Sequence, residues 1–176
     1  MGLAIIDGDV LAHLACRART KNGYIIQPWH KDKPKFTMAE DALYFEDCWG
    51  NFKQLISDAK EATYSEEHLM ALKSPCNYRD LIYPIEQIDE GVWVGYKACR
   101  MKAPEDQNKF VPMLRDRAVE EGLGIFAMWR EADDLVKMWA LQAISSGDDY
   151  TIVSNDKDLK CIPGKHYNPK TKERIT

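Results

Sequence analysis

A chain of 176 residues, 45% hydrophobic and 30% charged, is long enough to bury a core and too apolar to be a disordered polyelectrolyte. No apolar run approaches bilayer-spanning length, and the start "MGLAIIDGDV" lacks a basic lead and meets an acid almost at once. A membrane protein and a secretory signal are therefore not expected, and the formal net charge of −4 gives no bulk attraction for polyanions.

The first strand candidate is "LAII" (Leu3 to Ile6), which ends at Asp7-Gly8-Asp9. "DVLAHLACRA" follows as a helix for which Asp9 can serve as N-cap. From Thr20 to Phe36 the chain is lysine-rich and interrupted by Gly23, Pro28 and Pro34, which reads as a loop or short hairpin. "TMAE" has capping-box spacing, and Met38, Ala42, Phe45, Trp49, Phe52, Ile56, Ala59 and Thr63 then recur at steps of four and three. That spacing predicts an amphipathic helix with an aromatic core stripe. "HLMAL" (His68 to Leu72) is a second strand, and the irregular stretch from Asn77 to Arg100 reads as a long loop. A helix from about Asn108 to Glu121 stops at Gly122, followed by a strand over Gly124 to Trp129, a helix opened by Glu131 and a strand over Tyr150 to Ser154.

Strands alternating with helices predict an α/β fold, a mostly parallel central sheet flanked by helices, in one domain over residues 1–176. In such sheets ligands bind beyond the carboxyl ends of the strands. Asp7 and Asp9 follow the first strand, Glu131, Asp133 and Asp134 the third, and Asp156 and Asp158 the fourth. Helix capping accounts for any one cluster, whereas three clusters on one edge repel each other unless cations or protons intervene. Hard divalent cations held by oxygen, Mg²⁺ or Mn²⁺ rather than zinc, are the economical explanation. The five cysteines are scattered with no CxxC pair, which argues for reduced thiols and a cytosolic setting.

Basic residues fall into three groups: Arg17, Arg19, Lys21, Lys31, Lys33 and Lys35; then Lys97, Arg100 and Lys102; then Lys157, Lys160, Lys165, Lys170, Lys172 and Arg174. Each group alone reads as a solvated face, and together they allow a basic groove on an acidic protein.

The segments "IIDGDVLAH", "NYRDLIYP…YKACR", "EADDLVKMWA" and "TIVSNDKDLKCIPGKHYN", in this order, resemble the 5′-nuclease (flap endonuclease) family. They are most similar to its phage-type 5′–3′ exonucleases with a PIN-like domain. The resemblance implies divalent-metal-dependent hydrolysis of DNA or RNA phosphodiesters, or of RNA–DNA hybrid, at or near 5′ ends or flaps. It implies a bacterial or phage-infected cytoplasm and two metal ions in the complete site. It assigns Asp7, Glu131, Asp133, Asp134, Asp156 and Asp158 to the metals. Lys97 and Arg100 fall at the basic positions of a helical gateway, with Tyr96 as its aromatic and Arg79 as a further substrate contact.

Lys97 and Arg100, three apart, would share a helix face and could neutralise charge developing on a phosphate. Tyr96 could stack on a terminal base. Ordinary surface charge, and for Arg79 a structural ion pair, are the plainer readings of the same residues. Ser74 stands where the family pattern has an acid, and the stretch between Arg79 and Tyr96 is long and carries Glu86, Asp89 and Glu90. The family's helix-hairpin-helix region and last acids are not among these residues, so a partner chain is one way of completing the site. These departures support an alternative, a weakly catalytic module that binds nucleic acid or a replication partner. Asp7-Gly8-Asp9 also resembles the DxD of haloacid-dehalogenase phosphatases, although Leu11 occupies the hydroxyl position.

Overall fold

In the computed structural model the residues described are 2–19, 25–26, 37–90, 92–95, 97–100 and 108–176. β1 (Gly2–Asp7) is the spine of a six-stranded sheet, because Ala4, Ile5 and Ile6 have no exposed surface and so must be covered on both faces. It pairs in parallel with β4 (Ser65–Leu72) on one side and β8 (Tyr150–Val153) on the other. β7 (Ile125–Phe126) extends the sheet beyond β4, and β9 (Lys165–Asn168) extends it beyond β8, both in parallel. Among the described strands of this sheet, only β10 (Glu173–Ile175), paired with β9 at the edge, runs antiparallel. The chain builds β1, β4 and β7 in one direction and then returns to place β8 on the other side of β1. That reversal opens a crevice at the carboxyl ends of β1 and β8.

The period-two alternation of a strand sorts the core into two layers. Ala4, Ile6, Met70, Leu72 and Val153 face α1 (Gly8–Ala15), α2 (Met38–Thr63) and, once α3 (Tyr78–Ile82) has intervened, α4 (Phe110–Glu120). Ile5, Ala71 and Ile152 face α5 (Ala132–Ser146) together with Leu159 and Ile162. The fold is thus α/β, a mostly parallel sheet flanked by helices. Among the described residues no helix is long and apolar enough to cross a membrane.

Several local expectations meet their physical cause here. Thr37 caps α2 by accepting the Glu40 N–H at 3.2 Å, and the buried face runs through Trp49, Phe52, Ile56 and Ala59 as the spacing predicts. Its first turns overhang the core, however, so Met38 is 91% exposed. Tyr44 and Cys48 take over the buried face there, with the Tyr44 hydroxyl donating to the Cys16 carbonyl and its ring set edge-on to Phe110. Gly122 closes α4 at φ +73°, where the Leu123 N–H reaches the Ala118 carbonyl.

The strand expected over residues 124–129 is shorter. After Phe126 the backbone turns, tied by Met128 N–H to the Phe126 carbonyl and Trp129 N–H to the Cys76 carbonyl. The early hairpin is present as β2 (Ala18–Arg19) against β3 (Ile25–Ile26); the rest of that segment lies outside the described residues. The stretch expected as a loop over 77–100 holds α3, a hairpin of β5 (Glu86–Asp89) and β6 (Val92–Val94), and a 3₁₀ turn over Ala98–Arg100.

Gly8 is needed for close approach. A Cβ there would stand 2.6 Å from Leu72 Cδ2, 2.7 Å from Met70 Cγ and 2.8 Å from the Ala71 carbonyl oxygen. Gly8→Ala is expected to cost about 1–3 kcal/mol by overpacking, roughly 2–10 °C in Tm. An unchanged thermal melt would contradict this packing.

Candidate functional site

Asp7 ends β1 at the crevice and is buried, with 5% of its surface exposed. Burial pushes its carboxyl up to about 7, and the negative charges of Asp9, Asp133 and Asp156 push in the same direction. One contact opposes them: the Ser154 hydroxyl donates to Asp7 Oδ2 at 2.9 Å. Ser154 is oriented in turn by the Asp156 N–H, 3.0 Å from its oxygen. The loop after β8 thus holds both the acid and the hydroxyl that restrains Asp7.

Asp7, Asp9, Glu131, Asp133 and Asp156 line one cleft of about 640 Å³. Partial burial and then the neighbouring Asp156 raise the Asp133 carboxyl above its usual range, with Lys137 opposing. Glu131 occupies the N-cap position of α5 and is paired with Lys97 at 3.2 Å and Arg79 at 3.5 Å. Asp134 is exposed, and its carboxylate accepts the Glu131 N–H at 3.3 Å, the reciprocal arm of a capping box. Asp158 is also exposed, on the 3₁₀ turn Lys157–Cys161, where its N–H donates to Asp156 Oδ1. Neither Asp134 nor Asp158 lines the cleft.

Asp9 lies in the first turn of α1, while Asp7 holds the N-cap position. The expected cap role of Asp9 gives way to longer-range partners. Asp9 Oδ1 takes Arg115 Nε at 2.7 Å and the Lys73 N–H at 3.3 Å. Ser74 is buried away from the cleft, with its hydroxyl 3.3 Å from Met128 Sδ and accepting the Cys76 N–H. The carboxylate on that side of the crevice therefore comes from α1.

The cleft has a basic wall. Arg17, Lys73, Lys97, Arg100, Arg115 and Lys170 line it, drawn from five separate parts of the chain. Lys97 adopts a left-handed backbone, φ 58°, and the Arg100 N–H closes the following 3₁₀ turn on its carbonyl. Of the expected helical gateway, the described residues show a 3₁₀ turn over Ala98–Arg100 that follows Lys97. Tyr96 and Lys102 lie outside the described residues. Arg79 does not line the cleft; it pairs with Glu131 and its Nε donates to the Tyr78 hydroxyl.

Sequence reasoning missed Ser154, Lys73 and Arg115, placed Lys170 only within a general basic group, and read Asp9 chiefly as a cap. The DxD spacing at the head of α1 was a visible signal for Asp9. The others reach the site through tertiary contacts that leave no local pattern.

The donor chemistry, carboxylate oxygens around a buried acid, fits a hard divalent cation. Among the described residues, however, no three carboxylate, imidazole or thiolate groups already stand at coordinating spacing. Ser154, Arg115, Lys97 and the cap N–H instead bond several of these carboxylates.

Between the ordinary carboxyl value of 3.8 and about 7, native Asp7 keeps a proton that the unfolded chain has released. Stability from this group therefore falls as pH rises through that window and stays lowered above it. In metal-free buffer Asp7→Asn should raise Tm by several degrees near pH 8, with the gain shrinking towards zero near pH 4. A gain independent of pH would contradict the burial of charge at Asp7.

No protein-family model matches the chain. Its fold is similar to that of the bacteriophage T5 flap endonuclease in a pseudo-enzyme–product complex with DNA and metal ions, at TM-score 0.62 and 12% identity, covering 99% of this chain and 57% of that one. A bacteriophage T5 protein co-crystallised with metal ions gives TM-score 0.60 at 13% identity, covering 99% and 57%. The T5 5′-exonuclease with zinc bound gives 0.59 at 13%, covering 99% and 58%. The chain spans a little over half the length of these proteins and has the α/β fold of that part of the phage 5′-nucleases.

Proposed function

We propose that this chain is a divalent-metal-dependent nuclease that hydrolyses phosphodiester bonds of DNA or RNA at or near 5′ ends or flaps. The observation that carries the reading is a buried, charge-crowded carboxylate at the switch point of a parallel sheet, facing a wall of six cations in one cleft. A polyanionic substrate needs the wall, and a cation bound among the acids needs the carboxylates. The DNA and metal ions held by the similar phage enzyme support both halves.

Asp7, Asp133 and Asp156 would hold the cation, Mg²⁺ or Mn²⁺, with Glu131 beside them. When bound, such an ion supplies Lewis acidity at a phosphate oxygen and a more acidic water. The remaining roles belong to the chain itself. Ser154 fixes the rotamer of Asp7, and Arg115 holds Asp9 while its own positive charge stays at the cleft wall. Lys97 and Arg100 lie against the same acids and would meet the non-bridging oxygens of a phosphate brought there. Arg79 positions Glu131. Asp134 and Asp158 stand at the periphery as cap and turn residues that complete the acidic set. Tyr96 is retained as a base-stacking candidate from its place beside Lys97 in sequence.

A second reading, a module that binds nucleic acid without efficient turnover, is favoured by the carboxylates' standing apart on protein partners. One assay separates the two. With millimolar Mn²⁺, the chain should release short 5′-terminal products from 5′-labelled flap, single-stranded or hybrid substrates. Asp156→Ala should abolish cleavage, and Lys97→Ala should slow it about 10²–10³-fold with little loss of binding. Tight binding without products in Mn²⁺ would overturn the nuclease reading in favour of the second.

A further inference from the structure

Among the described residues the β5–β6 hairpin buries none of its own side chains fully and covers no core. Every residue described in its two strands is exposed, including Ile88, Val92, Trp93 and Val94, and Tyr83 and Ile85 continue the apolar surface at its base. A two-stranded ribbon that joins no larger sheet and buries no core is marginal in water. This one is nevertheless fixed at its root. Gly95 sits at φ +118° so close to the chain opposite that a Cβ would meet the Pro84 carbonyl oxygen at 2.3 Å. Among the described residues neither strand pairs with a third, so each presents a row of unpaired backbone groups.

Charge decides what suits this surface. Residues 80–95 carry Asp80, Glu86, Asp89 and Glu90 and no lysine or arginine. A nucleic-acid stacking platform joins its aromatics to a basic groove, and phosphates would be repelled here. An extended protein segment of alternating apolar and basic residues matches both features. Its backbone would add to a free strand edge, its apolar side chains would cover the Trp93 surface, and its cations would meet the acids.

We propose that the hairpin is a docking site for a partner protein that adds such a basic, extended strand. Asp80 and Ile85, just before the hairpin, also line the cleft, so the docking surface adjoins it. The inference does not depend on the nuclease reading.

The test uses the whole chain and a fluorescent, end-capped peptide of alternating lysine and valine, with a glutamate–valine peptide of equal length as control. The lysine peptide should bind about tenfold or more tightly than the control and weaken with added salt. Trp93→Ser should weaken it about tenfold, and Glu86→Lys combined with Asp89→Lys should reverse the preference. Thermal melts of these variants should match the parent, because the hairpin buries no core. Equal binding of the two peptides, or a preference that survives both variants, overturns the proposal. So does loss of single-stranded oligothymidine binding in Trp93→Ser, which would make the surface a nucleic-acid contact. Self-association abolished by Trp93→Ser would overturn it in favour of a second copy.

Discussion

Burying Asp7 at the end of the central strand, within the field of three other carboxylates, is the constraint around which the site is arranged. Left alone, that charge opposes folding. The chain limits the cost locally with the Ser154 hydroxyl, and at longer range it sets cations against the surrounding acids, Arg115 on Asp9 and Lys97 and Arg79 on Glu131. Each partner comes from an element whose place is set by the order of strands around β1. Moving β8 to the other side of the sheet would take away both Ser154 and Asp156.

The same electrostatics reconcile an acidic chain with the polyanionic substrate proposed for it. A formal charge of −4 is an average over regions of opposite character. Six lysine and arginine side chains line the cleft beside its acids, while Glu86, Asp89 and Glu90 lie in the hairpin stretch outside its lining. A phosphodiester strand would thus be drawn to the crevice and turned away from the hairpin. Arg79 and Lys97 link the two zones, since both bond Glu131 at the mouth of α5.

How much of this was legible in the sequence follows from the range of the interactions concerned. β1, β4, α2 and α5 announce themselves through periodicity, caps and β-branched runs, and their order was enough to bring Asp7, Asp133 and Asp156 to one edge. The three acids at the start of α5 divide their roles: Asp134 caps the helix, Glu131 bonds Lys97 and Arg79, and Asp133 lies in the field of the other acids. Lys73 and Arg115 were invisible because nothing within a few residues of them marks their direction. The hairpin was missed for a different reason. Its alternation about Glu90-Gly91 was present, but Pro84 and the glycines made the whole stretch read as breaks.

The account stands or falls on whether these carboxylates gather around a cation. The most direct measurement is an anomalous difference map from crystals of the chain soaked in Mn²⁺. The account predicts a peak in the crevice bounded by Asp7, Asp133 and Asp156, with Ser154 still bonded to Asp7. No peak there at saturating Mn²⁺, or peaks confined to Asp134 and Asp158, would contradict it.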